Sequence, residues 1–352
     1  GLKRKIFDHI SFGEVISLEN LFLAWREFRK GKRSKSDVMT FEYTLEDNIF
    51  QLHRELSSGT YRHGNYKQFR ITDPKARLIS KSSVRDRLLH HAIYRVLYPY
   101  FDTTFIYDSY SCRKNKGTHR AFSRLSNLTR KISGNYTKPC FALKLDIRRF
   151  FDSINHKILM NLLKQRIDDE WLLNLLQNII DSFEHSPGHG MPLGNLTSQL
   201  FANVCLGPLD KFAKHKLKAK YYLRYADDFM FLSDSPDELL GYLIEINQFL
   251  KTNLNLNIHP NKIHFRKLNW GIDYVGYVTL PRYSIPRKKT VKRIFKKIRQ
   301  LLKKGELDKL TKAIPSYLGY LQHTNSYRLR SQLYMQRCGI KPIRISRIIS
   351  CF

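Results

Sequence analysis

Apolar residues recur at helical spacing in several stretches of this chain, which predicts amphipathic helices there. Within residues 14 to 60, "SLENLFLAWREFRKGKR" opens with a serine cap, and "TLEDNIFQLHRELSSG" repeats the pattern and ends at Gly59. A third stretch, "SVRDRLLHHAIYRVLYPYF", is expected to close at Pro99, because proline lacks the N–H that a continuing helix uses. We therefore predict a helix in each of these stretches.

In other stretches, apolar and polar residues alternate with a period of two, which predicts strands. From Tyr66, "YKQFRITDPKARLIS" predicts two short strands around a turn at Asp73 and Pro74. Further along, "CFALKLDIRRFFDSI" predicts a strand that turns into a helix, and "LRYADDFMFL" predicts a hairpin. Helices are expected through about Asp181, in the second half of "SPGHGMPLGNLTSQLFANVCLGPLDKF" and near residues 237 to 252, before "LNLNIHPNKIHF" and "DYVGYVTL" complete the centre. Because strands and helices mix without strict βαβ alternation, the predicted fold class is α+β.

The segment "IPRKKTVKRIFKKIRQLLKK" differs in composition, with ten basic residues and no acidic one. Its apolar residues are expected on one helical face, namely Val291, Ile294, Phe295, Ile298, Leu301 and Leu302. A basic amphipathic helix is typical of a solvated surface, a membrane surface or a calmodulin target, and the charge of this chain favours a duplex backbone. The candidate nucleic-acid contacts are Lys288, Lys292, Lys296 and Lys297.

Charge decides the expected partner class. The 352 residues can bury a sizeable core and form two or three domains, and 62 Lys and Arg against 30 Asp and Glu give a formal charge of +32. Repulsion among so many positive charges destabilises the folded state unless a polyanion neutralises them, so a nucleic acid is the expected partner. An anionic membrane is the competing partner, but no apolar run approaches the roughly 18 residues of a span, and no signal-peptide core opens the chain. We expect a soluble protein of a reducing compartment.

The cysteines favour neither a disulfide framework nor a zinc site. They are five, an odd number, and never occur in CxxC spacing: Cys112, Cys140, Cys205, Cys338 and Cys351. Buried or free thiols are expected.

Two adjacent carboxylates, Asp227 and Asp228, lie between the apolar runs of the predicted hairpin. One interpretation is structural, because aspartate tolerates the geometry of a turn. The other is catalytic: the flanking Tyr225, Ala226 and Phe229 carry no charge, and a magnesium ion, which prefers hard oxygen ligands, would relieve the repulsion. The hairpin pattern alone leaves both interpretations open.

A third acid supports the catalytic interpretation. Asp146 in "KLDIRRFFDSI" follows an alternating strand, so it is expected at the carboxyl end of that strand. If the strand neighbours the Asp227 hairpin, the two carboxylates can clamp two magnesium ions, one activating a 3′-hydroxyl and the other holding the leaving phosphates. Phosphoryl transfer needs little more than such positioning and charge neutralisation.

With these residues in view, "YADDF" resembles the Y-x-D-D box of reverse transcriptases. The chain carries the family's other boxes in the family's order: "RLISKSSVRDRLLHHAI", "DSYSCRKNKGTHRAF", "LKLDIRRFFDSI", "LGNLTSQLFAN", "LNLNIHPNKIHF" and "YVGYV". The match runs from about Lys67 to about Val278, and "YLGYLQHTNSYRL" looks like a group II-type thumb. Each box alone is weak, and the ordered set makes chance a poor explanation.

The resemblance implies a right-hand polymerase with fingers, a palm of antiparallel sheet and helices, and a helical thumb. It divides the chain into an N-terminal helical segment (1–65), fingers (66–139), a palm with embedded fingers segments (140–284) and a basic thumb with a C-terminal tail (285–352).

The resemblance also implies a metal site. It makes Asp146 and Asp227 the ligands of two Mg²⁺ ions, for which Mn²⁺ could substitute, and Asp228 the accompanying carboxylate. Lys262 matches the lysine of the fourth palm box, where it could protonate pyrophosphate; the alternative is one more surface charge among 62.

Three further residues match the family's nucleotide site. Phe151 occupies the steric-gate position, where an aromatic ring would collide with a 2′-hydroxyl and select deoxynucleotides, a role compatible with a core phenylalanine. Lys75 and Arg77 match the fingers cations that meet the triphosphate, although either could be ordinary surface charge.

One box departs from the usual pattern. Most reverse transcriptases have Gln before the glycine, whereas this chain has Leu193 before Gly194. This L-G-x-x-x-S-Q form resembles the reverse transcriptases of diversity-generating retroelements, which copy a template-repeat RNA and misincorporate at adenines. Glutamine can hydrogen-bond the sugar of an incoming nucleotide and leucine cannot, so weaker positioning is a route to infidelity. Lineage drift is the alternative.

The resemblance implies a template RNA and primer as an RNA–DNA hybrid, dNTPs, a small basic accessory protein, no membrane, and a cytoplasmic location in a bacterial or phage-infected cell. Only 68 residues follow Ser284, so we expect a thumb but no RNase H, maturase or endonuclease domain. Rival interpretations are a group II intron-like or phage-defence reverse transcriptase, and a non-catalytic RNA-binding relative, against which the three aspartates argue.

Overall fold

The computed structural model describes residues 10–72 and 76–337. The helices in that part of the chain are α1 (Phe12–Ile16), α2 (Leu18–Phe28), α3 (Ser36–Tyr43), α4 (Leu45–Ser57), α5 (Val84–Asp102), α6 (Thr118–Ile132), α7 (Phe150–Ser153), α8 (His156–Lys164), α9 (Glu170–Asp181), α10 (Leu196–Lys211), α11 (Pro236–Leu254), α12 (Lys288–Lys303), α13 (Leu307–Leu321) and α14 (Tyr327–Arg337). The strands are β1 (Lys67–Ile71), β2 (Arg77–Lys81), β3 (Phe141–Asp146), β4 (Tyr222–Tyr225), β5 (Asp228–Ser233), β6 (His264–Lys267), β7 (Ile272–Tyr274), β8 (Tyr277–Thr279) and β9 (Ser284–Pro286). The predicted α+β class is confirmed.

Within the described residues, the strands form three separate sheets. The strands β1 and β2 form an antiparallel pair, as predicted, and the turn expected at Asp73 and Pro74 lies outside the described residues. A four-stranded sheet has the order β4-β5-β3-β6, so β3 is the neighbour of the predicted hairpin. The segment "DYVGYVTL" turns back on itself and forms β7 and β8, which join β9 in a third sheet.

The start of α2 and the end of α4 lie where the sequence indicates. The Ser17 hydroxyl accepts a hydrogen bond from the Asn20 N–H at 3.2 Å, which caps α2, and Gly59 adopts the positive φ expected just after α4. Trp25 and Phe28 on α2 are 1% exposed, because the apolar stripe of α2 packs against α5.

The predicted end of α5 was wrong. Pro99 lies inside the helix, which continues to Asp102. The proline removes one N–H donor in the last turn, but Tyr98 and Phe101 are buried at 4% and 2% exposure. Burial of these aromatic side chains stabilises the turn that local propensity would end.

The basic segment forms α12, and its apolar face packs with α13 and α14. Five of the six predicted face residues are buried: Val291, Ile294, Phe295, Ile298 and Leu301. Leu302 lies on the same helical face, one turn after Ile298, but it is 41% exposed because it is one residue before the end of α12.

The chain divides into two compact units. The first comprises Gly1–Lys114, Leu145–Phe229 and Gly241–Ile263, and the second comprises Asn115–Lys144, Met230–Leu240 and His264–Phe352. None of the helices in the described residues is long and apolar enough to cross a bilayer.

Candidate active site

The two adjacent carboxylates lie at the tip of a hairpin, as predicted. Ala226 and Asp227 form the turn between β4 and β5, and Asp228 is the first residue of β5. Ala226 has a φ of 56°, in the left-handed region that a side chain disfavours by about 1–2 kcal/mol. Buried residues of β5, among them Phe229 and Met230, anchor the hairpin below this turn.

The strand β3 brings a third carboxylate to the same unit. Asp146 is the last residue of β3, as predicted, and β3 is adjacent to β5 in the sheet. The Asp146 carbonyl accepts a hydrogen bond from the His259 N–H at 2.8 Å, and Ile147 pairs with Ile258 in an antiparallel bridge. The backbone on either side of this carboxylate is therefore fixed by the segment that follows α11.

Lys262 contacts the candidate metal ligand directly. Its Nζ donates a hydrogen bond to Asp146 Oδ1 at 2.5 Å, and the two side chains are 38% and 14% exposed. The sequence places these residues 116 positions apart, and the short turn Pro260–Lys262 brings them together. Lys262 and Asp146, which the sequence analysis assigns to one candidate site, are therefore in direct contact.

Negative charge accumulates around Asp227. Burial, followed by the neighbouring charges of Asp146 and Asp228, raises the pKa of this carboxyl to about 6 against the opposing charge of Lys262. A carboxylate that is buried beside another carboxylate is stabilised in its ionised form by a bound cation.

The donor set fits magnesium that is shared with substrate. No group of three His, Cys, Asp or Glu side chains within residues 10–72 and 76–337 could hold a metal ion by itself. Magnesium is commonly bound by one or two carboxylates and completes its coordination with water and substrate phosphates. Asp146 and Asp227 supply this kind of incomplete, hard-oxygen site.

The candidate nucleotide residues Leu193 and Gly194 lie against β2. The Ser80 N–H donates a hydrogen bond to the Leu193 carbonyl at 3.2 Å, and Gly194 has a φ of 123°. A Cβ on Gly194 would lie 3.3 Å from Ile79 Cγ2, so a side chain there would be strained and crowded. Arg77, at the start of β2, is exposed. Lys75 lies outside the described residues.

The backbone of Phe151 is hydrogen-bonded to the loop that leads to Leu193. Its carbonyl accepts a hydrogen bond from the Met191 N–H at 2.7 Å, two residues before Leu193. Its half-buried ring meets Phe150 edge-on, with ring centroids 5.4 Å apart. The fold therefore holds Phe151 and the Leu193 segment in one arrangement within the first unit.

The candidate nucleic-acid contacts belong to the second unit. All four lie on α12 and are exposed: Lys288, Lys292, Lys296 and Lys297. The opposite face of α12 is buried, so the helix presents its charges on one side.

Sequence reasoning missed a buried polar cluster behind the hairpin. Arg224 in β4 is fully buried and pairs with Asp210 of α10, and Asn203 of the same helix contacts both Arg224 and the Ser111 carbonyl. The available signal was one cation inside the aromatic strand "YYLRY". A buried charge needs a partner, so that cation predicts an acid nearby.

The chain matches one family model and is similar to several known proteins. Residues 70–279 match the family model described as "Reverse transcriptase (RNA-dependent DNA polymerase)". Protein YkfC of Escherichia coli strain K12 is 23% identical, over 66% of this chain and 71% of YkfC. The group II intron-encoded protein LtrA of Lactococcus lactis subsp. cremoris is 26% identical, over 50% of this chain and 30% of LtrA. A COX1/OXI3 intron 2 protein of Saccharomyces cerevisiae is 23% identical, over 73% of this chain.

The chain spans 37% of that yeast intron protein. Among solved structures, a partial Cas6-RT-Cas1–Cas2 complex has a TM-score of 0.42 at 22% identity, covering 68% of this chain and 42% of that chain. Telomerase from Candida albicans with a fragment of telomeric RNA has a TM-score of 0.48 at 12% identity, covering 70% and 52% of the two chains.

Proposed function

Because this chain belongs to the reverse transcriptase family, we propose that it is an RNA-directed DNA polymerase that extends a primer with dNTPs on an RNA template. The right-hand polymerase fold of the family agrees with the α+β architecture. The observation that carries the proposal is the placement of Asp146 at the end of β3, beside the hairpin that carries Asp227. On the family's pattern, residues 1–65 are the leading helices, 66–139 the fingers, 140–284 the palm and 285–352 the thumb.

Reverse transcriptases generally use divalent metals, and here Asp146 and Asp227 would hold two Mg²⁺ ions with Asp228 beside them. When bound, the ions lower the pKa of the attacking 3′-hydroxyl and stabilise the charge of the leaving phosphates. The chain's own contribution is positional, because the buried hairpin and the paired end of β3 hold the carboxylates. Lys262, hydrogen-bonded to Asp146, carries a proton that pyrophosphate can take as it leaves.

The loop at Leu193 and Gly194, the ring of Phe151 and the guanidinium of Arg77 form the proposed nucleotide site. Gly194 lets the backbone approach β2 closely, and Arg77, together with Lys75, would meet the triphosphate. The thumb lysines would bind the phosphates of the template–primer duplex without sequence preference.

Asp227→Ala tests the proposed activity. We expect the variant to lose primer extension on an RNA template while it retains template–primer affinity, since removing a ligand disrupts metal geometry and leaves the backbone contacts. Extension is followed on a labelled primer, and binding by fluorescence anisotropy. Asp237→Ala, which removes an exposed carboxylate at the start of α11, is the matched control and should extend normally. Undiminished extension by Asp227→Ala would contradict the proposal.

We further propose that the enzyme is error-prone at template adenines and serves a diversity-generating retroelement, with a small basic accessory protein. The support is the L-G-x-x-x-S-Q form of the segment from Leu193 to Gln199. An ordinary group II intron-like enzyme is the second candidate, favoured by the similarity to LtrA.

Leu193→Gln distinguishes these two candidates. Glutamine adds a hydrogen-bonding group beside the nascent pair, and a difference of about 1.4 kcal/mol shifts selection tenfold. We expect misincorporation opposite template adenine to fall more than opposite the other three bases, which serve as internal controls. Sequencing of cDNA that both forms make on one RNA measures this. A low adenine error rate in the wild type, or equal rates in both forms, would favour the intron-like candidate.

A further inference from the structure

Arg224 lies in β4, two residues before the turn residue Ala226, and its guanidinium is fully buried. Nε donates to Asp210 Oδ1 at 2.8 Å and Nη2 donates to Asp210 Oδ2 at 2.7 Å, a bidentate pair with both side chains at most 1% exposed. The remaining nitrogen, Nη1, donates to Asn203 Oδ1 at 3.0 Å and to the Ala226 carbonyl at 3.1 Å. One side chain therefore connects α10 to the backbone of the turn.

The backbone of Arg224 is held as firmly as its side chain. Its N–H donates to the Asp108 carbonyl at 2.9 Å, and its carbonyl accepts from the Tyr110 N–H at 3.0 Å. The Tyr222 hydroxyl donates to Asp210 Oδ1 at 2.8 Å, which gives this carboxylate oxygen a second donor beside Arg224 Nε. Residues of the first unit therefore fix the position of the guanidinium.

The turn needs such a support. Ala226 has a positive φ at the first central position of a two-residue hairpin turn, where glycine is the usual residue. A Cβ disfavours this conformation, so contacts outside the turn must maintain it. The hydrogen bond from Arg224 to the Ala226 carbonyl is a contact of this kind, one peptide bond before Asp227.

A buried ion pair is a weak means of stabilising a fold, because the desolvation of both charges offsets their attraction. Its rigid, forked geometry is better suited to fixing the position of a neighbouring group. We propose that Arg224 is a positioning residue for catalysis: Asp210 locks its guanidinium, which holds the Ala226 carbonyl and so keeps the turn in the conformation that presents Asp227. This inference rests on the proposed polymerase function.

The test replaces the ion pair with neutral groups. In Arg224→Met/Asp210→Asn the asparagine still accepts from the Tyr222 hydroxyl and the methionine fills the space, so no charge is left buried without a partner. We expect a folded protein with unchanged template–primer affinity and dNTP KM, and an extension rate lower by roughly 100-fold, the scale of a misplaced reacting group.

The ion pair of Arg113 and Asp102 supplies a matched control. Arg113 Nε donates to Asp102 Oδ1 at 2.7 Å, and the Tyr98 hydroxyl also donates to Asp102 Oδ1, as Tyr222 does to Asp210. The Nη1 of Arg113 donates to backbone carbonyls close to it in sequence. Arg113→Met/Asp102→Asn should therefore extend primers within about threefold of the wild type, because this pair supports a different loop. Equal rate losses in both double variants would overturn the proposal.

Two further variants complete the experiment. Arg224→Lys keeps the charge beside Asp210 but lacks the fork, so it should fold and lose rate in the same way; it decides the question if the double variant unfolds. Adding Ala226→Gly to the double variant should recover part of the rate, because glycine adopts a positive φ without support.

A double variant that extends at the wild-type rate, or a glycine that recovers nothing, would overturn the proposal while leaving the polymerase function in place. A wild-type protein that extends no primer would overturn the polymerase function and the positioning role with it.

Discussion

The role proposed for Phe151 depends on its surroundings as well as on its own side chain. Its ring is half-buried against Phe150, and its carbonyl is bonded to the loop that leads to Leu193. A core phenylalanine with a free choice of rotamers could not discriminate between sugars, whereas a ring held beside a nucleotide can exclude a 2′-hydroxyl by contact. The predicted discrimination between sugars therefore depends both on the phenylalanine ring and on the place where the fold holds it.

Phe151→Ala should admit ribonucleotides, because removal of the ring removes the clash. Competition between dNTPs and rNTPs on one RNA template measures the change, which we expect to be at least about tenfold in the ratio of kcat/KM values. Phe50→Ala is the control, since Phe50 on α4 is 39% exposed and remote in sequence from the site residues. Unchanged discrimination would place the gate at another residue.

The amphipathic pattern of α12 determines which face of the helix packs against its neighbours and which face carries the positive charge. Its apolar stripe packs against α13 and α14, and Lys292, Lys296 and Lys297 on the opposite face are exposed. The second unit thereby gains a strongly positive surface without any acidic residue in the helix. Such a surface attracts a phosphate backbone through the release of counterions.

Neutralising Lys292, Lys296 and Lys297 to glutamine should weaken template–primer binding and flatten its dependence on salt. For duplex DNA, the slope of log K against log[salt] is expected to fall by roughly 0.9 for every phosphate that the variant no longer neutralises. Titrations between about 50 and 200 mM salt provide the slope. Exposed lysines on other helices, Lys157, Lys164 and Lys251, form the control triplet and should leave the slope unchanged. Equal slopes for both triplets would make α12 an ordinary solvated helix.

For the whole molecule, charge and stability are linked. A formal charge of +32 on 352 residues repels itself in the compact state, and a bound polyanion offsets this repulsion. A ligand that binds only the folded chain adds about 2.7 kcal/mol of stability at a concentration 100 times its Kd.

We therefore expect template–primer to raise the melting temperature by several degrees at about 50 mM salt and to have little effect at about 500 mM. Differential scanning fluorimetry measures the shift, with uncharged dextran as the control for crowding. A shift that persists at high salt would indicate binding that does not depend on phosphate contacts.

Local chemistry determined much of this protein in advance. The serine cap of α2, the glycine after α4, the hairpin turn at Asp227 and the position of Asp146 at a strand end all depend on neighbours within a few residues. Hydrophobic periodicity is likewise a local property, and it indicated α2, α4, α5 and α12 and the α+β class, although α5 continues past its predicted end.

Tertiary structure decided the features that join distant residues. Burial of Tyr98 and Phe101 carried α5 past Pro99, and the hydrogen bond from Lys262 to Asp146 crosses 116 positions of sequence. The pairing of Arg224 with Asp210 depends on β4 and α10 meeting in the core, where a charge without a partner would cost several kcal/mol. Periodicity indicates which face of an element is buried, and only the packed chain determines which side chain it is buried against.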